Sequence, residues 1–206
     1  MRLAWILALG FAFSFLGVSG KEPAVALRIL LDTDKPELSY GQLEANSDFR
    51  FSVGLGAKGV APAGSAFRPG YSLLGQFRVN AILARDRFEM EEDLVERSGK
   101  SRDWLRAHLF ANMSKIDFDR DGKGGEYGSA YISLVPIDSK AEQPFHFGDY
   151  AGVLRWYSYA IHGTQDPSRI GKRITGGCIN VREKDLDILL RTLCLGDVVE
   201  VRLVQP

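Results

Sequence analysis

From residue 25 to residue 84 the chain consists mostly of short runs with apolar residues at every second position, each ended by glycine or proline. "VALRILL", "DFRFSVGLG" and "LLGQFRVNAIL" are the examples. Alternation buries one side of an extended strand, and Gly/Pro clusters turn the chain, so this pattern demands a sheet of short strands. Val25 to Leu31 reads as a strand, "DTDKP" as a turn, and Leu38 to Tyr40 as the start of the return of a hairpin. Phe49, Phe51 and Val53 share one face of the next strand, which stops at Gly54 and Gly56. "GAKGVAPAGSAFRPG" reads as loop, and the strand after it is expected to carry Phe77, Val79 and Ala81 on one side.

After Arg85 the period changes. "FEMEEDLVERSGKSRDWLRAHLFANMSK" is rich in helix formers and broken at Gly99. Ser101 is placed to cap a helix that carries Trp104, Leu105, His108 and Leu109 inward. "AYISLVPI" returns to strand, and "RWYSYAIHG" is a further strand. Regular geometry puts Trp156, Ser158, Ala160 and His162 on one face, with small residues leaving room beside the His162 ring. Trp156 and Tyr159 belong either to the core or to the wall of a cleft. "NVREKDLDILLRTLC" reads as a helix with Leu186, Leu189, Leu190, Leu193 and Cys194 in one stripe, which makes Cys194 a buried packing thiol. "GDVVEVRLV" closes as a strand with Val199, Val201 and Leu203 opposed to Glu200 and Arg202. The order predicts one α+β domain, mainly β, over 21–206, with a helical insertion at 85–130 and one helix near the end.

Residues 1–20 differ in kind. Arg2 gives a positive start, Leu3 to Val18 is apolar without a charge, and Val18, Ser19 and Gly20 precede Lys21. That is the layout of a secretory signal peptide. The alternative is an uncleaved membrane anchor, but the apolar run is shorter than the roughly 20 residues a span needs, so cleavage is expected, with no stable span after it. No cysteine stands at the cleavage point to carry a lipid. Cleavage leaves 25 basic and 26 acidic residues, a balance that speaks against nucleic acid as a partner. Export implies an oxidising compartment, yet only Cys178 and Cys194 are present, too few for a disulfide framework.

The chemistry-bearing residues gather in "HGTQDPSRIGKRITGGCINV", His162 to Val181. Gly176 and Gly177 allow the sharp turn that bares Cys178. Asn180 and Glu183 have capping-box spacing, which puts Cys178 just before a helix N-terminus, where the dipole favours a thiolate. Backbone N–H groups around Gly177 and Cys178 can hold an oxyanion. A thiol attacking a carbonyl needs a base that later serves as acid, and His162 can do both. The bland alternative is a packed thiol and an unrelated histidine. Arg169, Lys172 and Arg173 either bind carboxylates or form a solvated basic loop. Asn180 either touches substrate or only caps its helix. "DFDRDGKGGEYG" fits the first half of a calcium loop at Asp117, Asp119, Asp121 and Gly122, but Gly128 stands where a bidentate Glu is needed, so a solvated turn is expected. His146 has no ligand partner at readable spacing, no zinc pattern exists, and neither metal nor cofactor is expected.

"HGT…IGK…TGGCIN" resembles the signature of the L,D-transpeptidase catalytic domain, the YkuD family. His162, Gly163, Thr164, Thr175, Gly177, Cys178, Ile179 and Asn180 match in order, and Gly176 replaces a motif histidine. "FSVGLG" and "YSLLGQFRV" resemble upstream family segments. The resemblance implies an L,D-transpeptidase-like β-sandwich or barrel with one helix after the nucleophile. It makes Cys178 the acylated nucleophile, His162 the base, and the Gly163 carbonyl the group that orients His162. It implies a peptidoglycan tetrapeptide stem as donor, attacked at its third residue with release of D-alanine, and a second stem's amine as acceptor for a 3→3 cross-link. It leaves open water or a protein amine as acceptor, and a wall-binding module with a dead site. Periplasm or cell wall is the implied location.

Overall fold

The computed structural model describes residues 24–118, 120, 122–137 and 145–204. The signal-peptide reading of 1–20 lies outside them, as do Asp119 and Asp121 of the calcium-like turn. In chain order the strands are β1 (Val25–Leu31), β2 (Tyr40–Leu43), β3 (Asn46–Ser52), β4 (Leu55–Gly56), β5 (Gly59–Ala61), β6 (Tyr71–Leu73), β7 (Gly75–Ala84) and β8 (Phe88–Met90). They continue with β9 (Ala130–Pro136), β10 (His146–Tyr150), β11 (Val153–Tyr157), β12 (Tyr159–His162), β13 (Arg173–Thr175), β14 (Ile179–Asn180) and β15 (Val198–Leu203). The helices are α1 (Glu92–Ser98), α2 (Arg102–Met113) and α3 (Glu183–Thr192).

A mixed sheet ordered β14-β12-β9-β7-β15-β1-β2-β3, with β8 beside β7, curls into a half-barrel. The β1/β15 and β12/β14 pairs are parallel and its other pairs antiparallel. The architecture is the expected α+β sandwich type, with a helical segment at 92–113 and one helix after Cys178.

Two cores lie on the two sides of this sheet, and one register shift divides them. Phe77 and Val79 enter the core of Leu27, Ile29, Val199 and Leu189, whereas Ala81 and Leu83 enter the core of Leu105, Leu109, Tyr131 and Trp156. Strict alternation would keep all four on one side. The β7/β9 register shifts between Val79 and Ala81, and one extra residue in a strand exchanges its faces. The expected grouping of Ala81 with Phe77 and Val79 is therefore corrected. The alternation in β12 holds: Tyr159 and Ile161 enter the first core, and Ala160 joins Trp156 in the second. Trp156 and Tyr159 are both wholly buried core residues.

Other local expectations are also corrected. Gly59–Ala61, within the stretch read as loop, pairs with Tyr71–Leu73. Ser101 does cap α2, its hydroxyl accepting from Trp104 N at 3.2 Å. Leu105 and Leu109 are buried, but Trp104 is only half-buried and His108 is exposed, stacked on Trp104 with ring centroids 4.6 Å apart. Arginine, alanine and histidine on the outer turns leave the buried stripe of α2 narrower than the pattern suggested. Leu186, Leu189 and Leu193 are buried, yet Cys194 is exposed. Leu193 has an extended backbone, so the stripe ends there, and the Cys194 N–H donates to Asp197 Oδ2 at 2.8 Å in the following turn. Leu203, the last residue of β15, is likewise exposed. Both cysteines are free thiols.

Candidate active site

His162 ends β12 between Tyr131 of β9 and Asn180 of β14. Its side chain is nearly enclosed, with 7% of the residue exposed. Nδ1 lies 2.8 Å from the Gly163 carbonyl oxygen. A carbonyl only accepts, so Nδ1 carries the proton and Nε2 keeps the lone pair. The Tyr127 ring meets the imidazole edge-on at 4.9 Å, and Tyr131 stacks at 6.0 Å. Burial pushes the imidazole down to about 4, against the Gly163 bond, which favours the protonated ring. The cations Arg169 and Arg155 push the same way as burial.

Cys178 sits on a turn joining β13 to β14 that is tied at each residue. Thr175 Oγ1 accepts from Gly177 N at 3.1 Å and donates to the Cys178 carbonyl at 2.6 Å. The Gly176 carbonyl accepts from Gly70 N at 2.7 Å. Ser72 Oγ, fully buried, accepts from Gly56 N at 2.9 Å and donates to the Gly177 carbonyl at 2.8 Å. Gly177 has φ +130, and a Cβ there would stand 2.7 Å from the Tyr71 carbonyl, so only glycine fits. The Cys178 sulfur is 3.9 Å from the Ser158 carbonyl oxygen. Ser158 is fixed in turn by Tyr131, whose hydroxyl donates to its carbonyl at 2.8 Å, and by Ser133 Oγ at 2.8 Å. Burial raises the Cys178 thiol to about 11, with Arg155 partly opposing it.

Two sequence expectations about this turn need correction. Asn180 does not cap the helix. It is buried in β14, Arg182 occupies the N-cap of α3 without a side-chain bond, and Glu183 instead accepts from Ser129 N at 3.2 Å. Four residues, Ile179 and Asn180 of β14, Val181 and the cap Arg182, separate Cys178 from α3, beyond the first turn over which a helix dipole acts. The Gly177 N–H is already engaged by Thr175 Oγ1.

Cys178 and His162 line one cavity of about 380 Å³. Thr175, Asn180 and Arg169 line it too, the Asn180 Oδ1 and Arg169 Nε being buried without hydrogen-bond partners. Arg173 does not. It is exposed, and its guanidinium donates to the Thr33 and Ala57 carbonyls. Ser158 and Gly176, both singled out in the sequence, line the cavity as well, and much of the remaining wall comes from residues the sequence reading missed. Phe67 comes from the glycine-rich stretch, Phe118, Glu126 and Tyr127 from the segment before β9, and Arg155 and Tyr157 from β11. Nothing in the local sequence marks Tyr127 or Arg155, because their meeting depends on three separate segments. Asp117 accepts from Arg120 N at 2.7 Å and Gly122 N at 2.8 Å, the bonding of a turn. His146 is exposed and stacks on Tyr157 at 4.8 Å. Among the described residues no group of His, Cys, Asp and Glu is gathered to hold a metal ion, and no helix is long and apolar enough to cross a membrane.

Residues 29–201 match the family model of the YkuD L,D-transpeptidase catalytic domain. A curated relative from Fuscovulum blasticum, named as an inferred L,D-transpeptidase in the ATP synthase subunits region (ORF 5), is 34% identical over 71 residues. That alignment covers 34% of this chain and 36% of the relative. Among solved structures, an L,D-transpeptidase from Mycobacterium smegmatis matches at 11% identity and TM-score 0.41, over 85% of this chain and 58% of its own. L,D-transpeptidase 3 from Mycobacterium tuberculosis, in complex with a faropenem-derived adduct, matches at 11% identity and TM-score 0.44, over 86% of this chain and 60% of its own. This chain thus spans little more than half the length of those structures. With the family model covering most of its length, the chain belongs to the YkuD family of L,D-transpeptidase catalytic domains.

Proposed function

We propose that this chain is an exported, cysteine-dependent L,D-transpeptidase that forms an acyl-enzyme with a peptidoglycan tetrapeptide stem and passes it to an amine. Cys178 Sγ attacks the carbonyl of the third stem residue while its proton moves to His162 Nε2. The Cys178 N–H is the donor proposed for the developing oxyanion. Collapse expels D-alanine, whose amine takes the proton back from His162. The amine of a second stem then attacks the thioester, restores the thiol and leaves a 3→3 cross-link.

The observation that carries this reading is the Nδ1 bond of His162 to the Gly163 carbonyl, on the wall of the cavity that Cys178 also lines. It fixes the tautomer that can accept a thiol proton without any carboxylate partner, the role a third residue has in other triads. Thr175 supports the nucleophile's turn, and Asn180 and Arg169 offer unsatisfied polar groups to a peptide. A peptidoglycan stem as substrate implies a working place in the periplasm or cell wall, consistent with the signal-peptide layout of residues 1–20.

The test is incubation with purified stem tetrapeptides. Release of D-alanine with a cross-linked dimer is expected, and Cys178→Ala must abolish both. Release without a dimer would assign water, or an amine absent from the assay, as the acceptor. Binding without release would leave a wall-binding module.

A further inference from the structure

The cavity has a second cation that the sequence does not announce. Arg155 projects from β11 into a cage of aromatic rings. Its guanidinium carbon is 4.3 Å from the Tyr157 centroid, 4.7 Å from Phe118, 5.5 Å from Tyr127 and 5.9 Å from Tyr150. Rings on several sides strip water from the faces of a guanidinium and leave its edge for hydrogen bonding. One edge nitrogen donates to the Tyr127 hydroxyl. Nε is buried and has no acceptor, the same condition as Nε of Arg169, also on the cavity wall. No carboxylate pairs with Arg155 among the described residues; Glu126, also on the wall, accepts from Phe118 N. A half-buried guanidinium with an unused donor, caged rather than ion-paired, is built to receive a planar anion. A carboxylate is such an anion.

We propose that Arg155, held by Phe118, Tyr127, Tyr150 and Tyr157, is a specificity-determining residue that binds a carboxylate of the donor peptide. This rests on the reading of the cavity as the stem-peptide site. It gives the segment before β9 a function: Phe118 and Tyr127 complete the cage, and Tyr127 also touches the His162 ring. Recognition of the anion and seating of the base then share one side chain.

The experiment measures binding to the purified Cys178→Ala chain, so that turnover plays no part. The probes are the stem tetrapeptide and three versions in which one carboxylate at a time is replaced by an amide. One amide is expected to bind about 10- to 100-fold more weakly than the acid, the range for a charge-assisted pair. Adding Arg155→Gln should remove that difference by bringing the acid down to the level of the amide. No selective loss in the parent, or the same loss persisting in Arg155→Gln, would overturn the proposal. Should that variant fail to fold, Arg155→Lys, which keeps the charge in the cage, carries the test: discrimination must fall at least threefold, and undiminished discrimination overturns it. D-alanine release by the Cys178-containing chain is read separately. Selective binding without release would sink the enzymatic reading and leave the carboxylate subsite standing.

Discussion

The resting charge state of Cys178 is open to a direct measurement. Burial raises its thiol to about 11 and pushes His162 down to about 4, so at neutral pH both are uncharged. A preformed thiolate–imidazolium pair, the state a helix N-terminus would favour, needs the opposite shifts. At pH 7 a thiol titrating near 11 is ionised in about 1 molecule in 10,000, against about 3 in 100 for an unperturbed thiol near 8.5. Cys178 should therefore react with iodoacetamide about 300-fold more slowly than a free thiol at that pH. Its rate should rise about tenfold per pH unit between pH 6 and 10, because only the thiolate reacts. Cys194 is exposed and would react first, so the assay uses Cys194→Ser and follows the mass of the peptide carrying Cys178. A rate that is already high and flat from pH 5 to 8 would refute the neutral-pair argument and require a source of thiolate stabilisation that the burial of this site does not provide.

Further outcomes follow from the same geometry. The depressed His162 pKa makes the unfolded chain bind more protons than the folded one between pH 6.5 and about 4, so stability is full above 6.5 and is lost as pH falls through that window. The loss is about 3 kcal/mol, and His162→Gln should flatten this part of the pH dependence of Tm. Gly177→Ala forces a side chain at φ +130 against the Tyr71 carbonyl. It should cost about 1–3 kcal/mol in chemical denaturation and remove D-alanine release. Ser72→Ala leaves the Gly56 N–H and Gly177 carbonyl buried without their common partner. A loss of about 1–3 kcal/mol is expected, with acylation of Cys178 slowed more than stem binding is weakened. Tyr127→Phe keeps the ring against His162 and removes only the hydroxyl bonded to Arg155, so Tm should change by a few degrees at most. Tyr127→Ala should lower it several-fold more, by opening the second core.

What the sequence disclosed, and what it hid, divides by the range of the interaction involved. Alternation and turn residues marked β1, β2, β3, β7, β9 and β15 because strand and turn chemistry is written within a few residues. The same rule failed inside β7. A bulge at Asn80 has no local signature, and its cause is the pairing with β9, more than fifty positions along the chain. The stretch around Cys178 was legible for a similar reason. Thr175 ties the turn from within, to the Gly177 N–H and the Cys178 carbonyl, and the paired glycines announce the turn by their type alone. The helix start was misplaced because Glu183 satisfies Ser129 N, a partner supplied by the turn before β9, instead of the adjacent backbone.

The cavity walls follow the same logic and explain why Arg155 went unnoticed. Viewed along the chain, Arg155 is one cation in an alternating strand, the usual mark of a solvent-facing position. In the folded protein the residue is enclosed, because the segment between α2 and β9 brings Phe118 and Tyr127 against the guanidinium. A residue that belongs in water by pattern and is enclosed by tertiary structure has lost solvation that its neighbours do not fully replace. The unpartnered Nε records that deficit. Such a mismatch between local pattern and final surroundings is expected where a chain retains a group for a ligand instead of for its own stability. The segment that looked like an addition to the sheet is thereby tied to the cavity, since its Phe118 and Tyr127 cover the guanidinium and Tyr127 also covers the His162 imidazole.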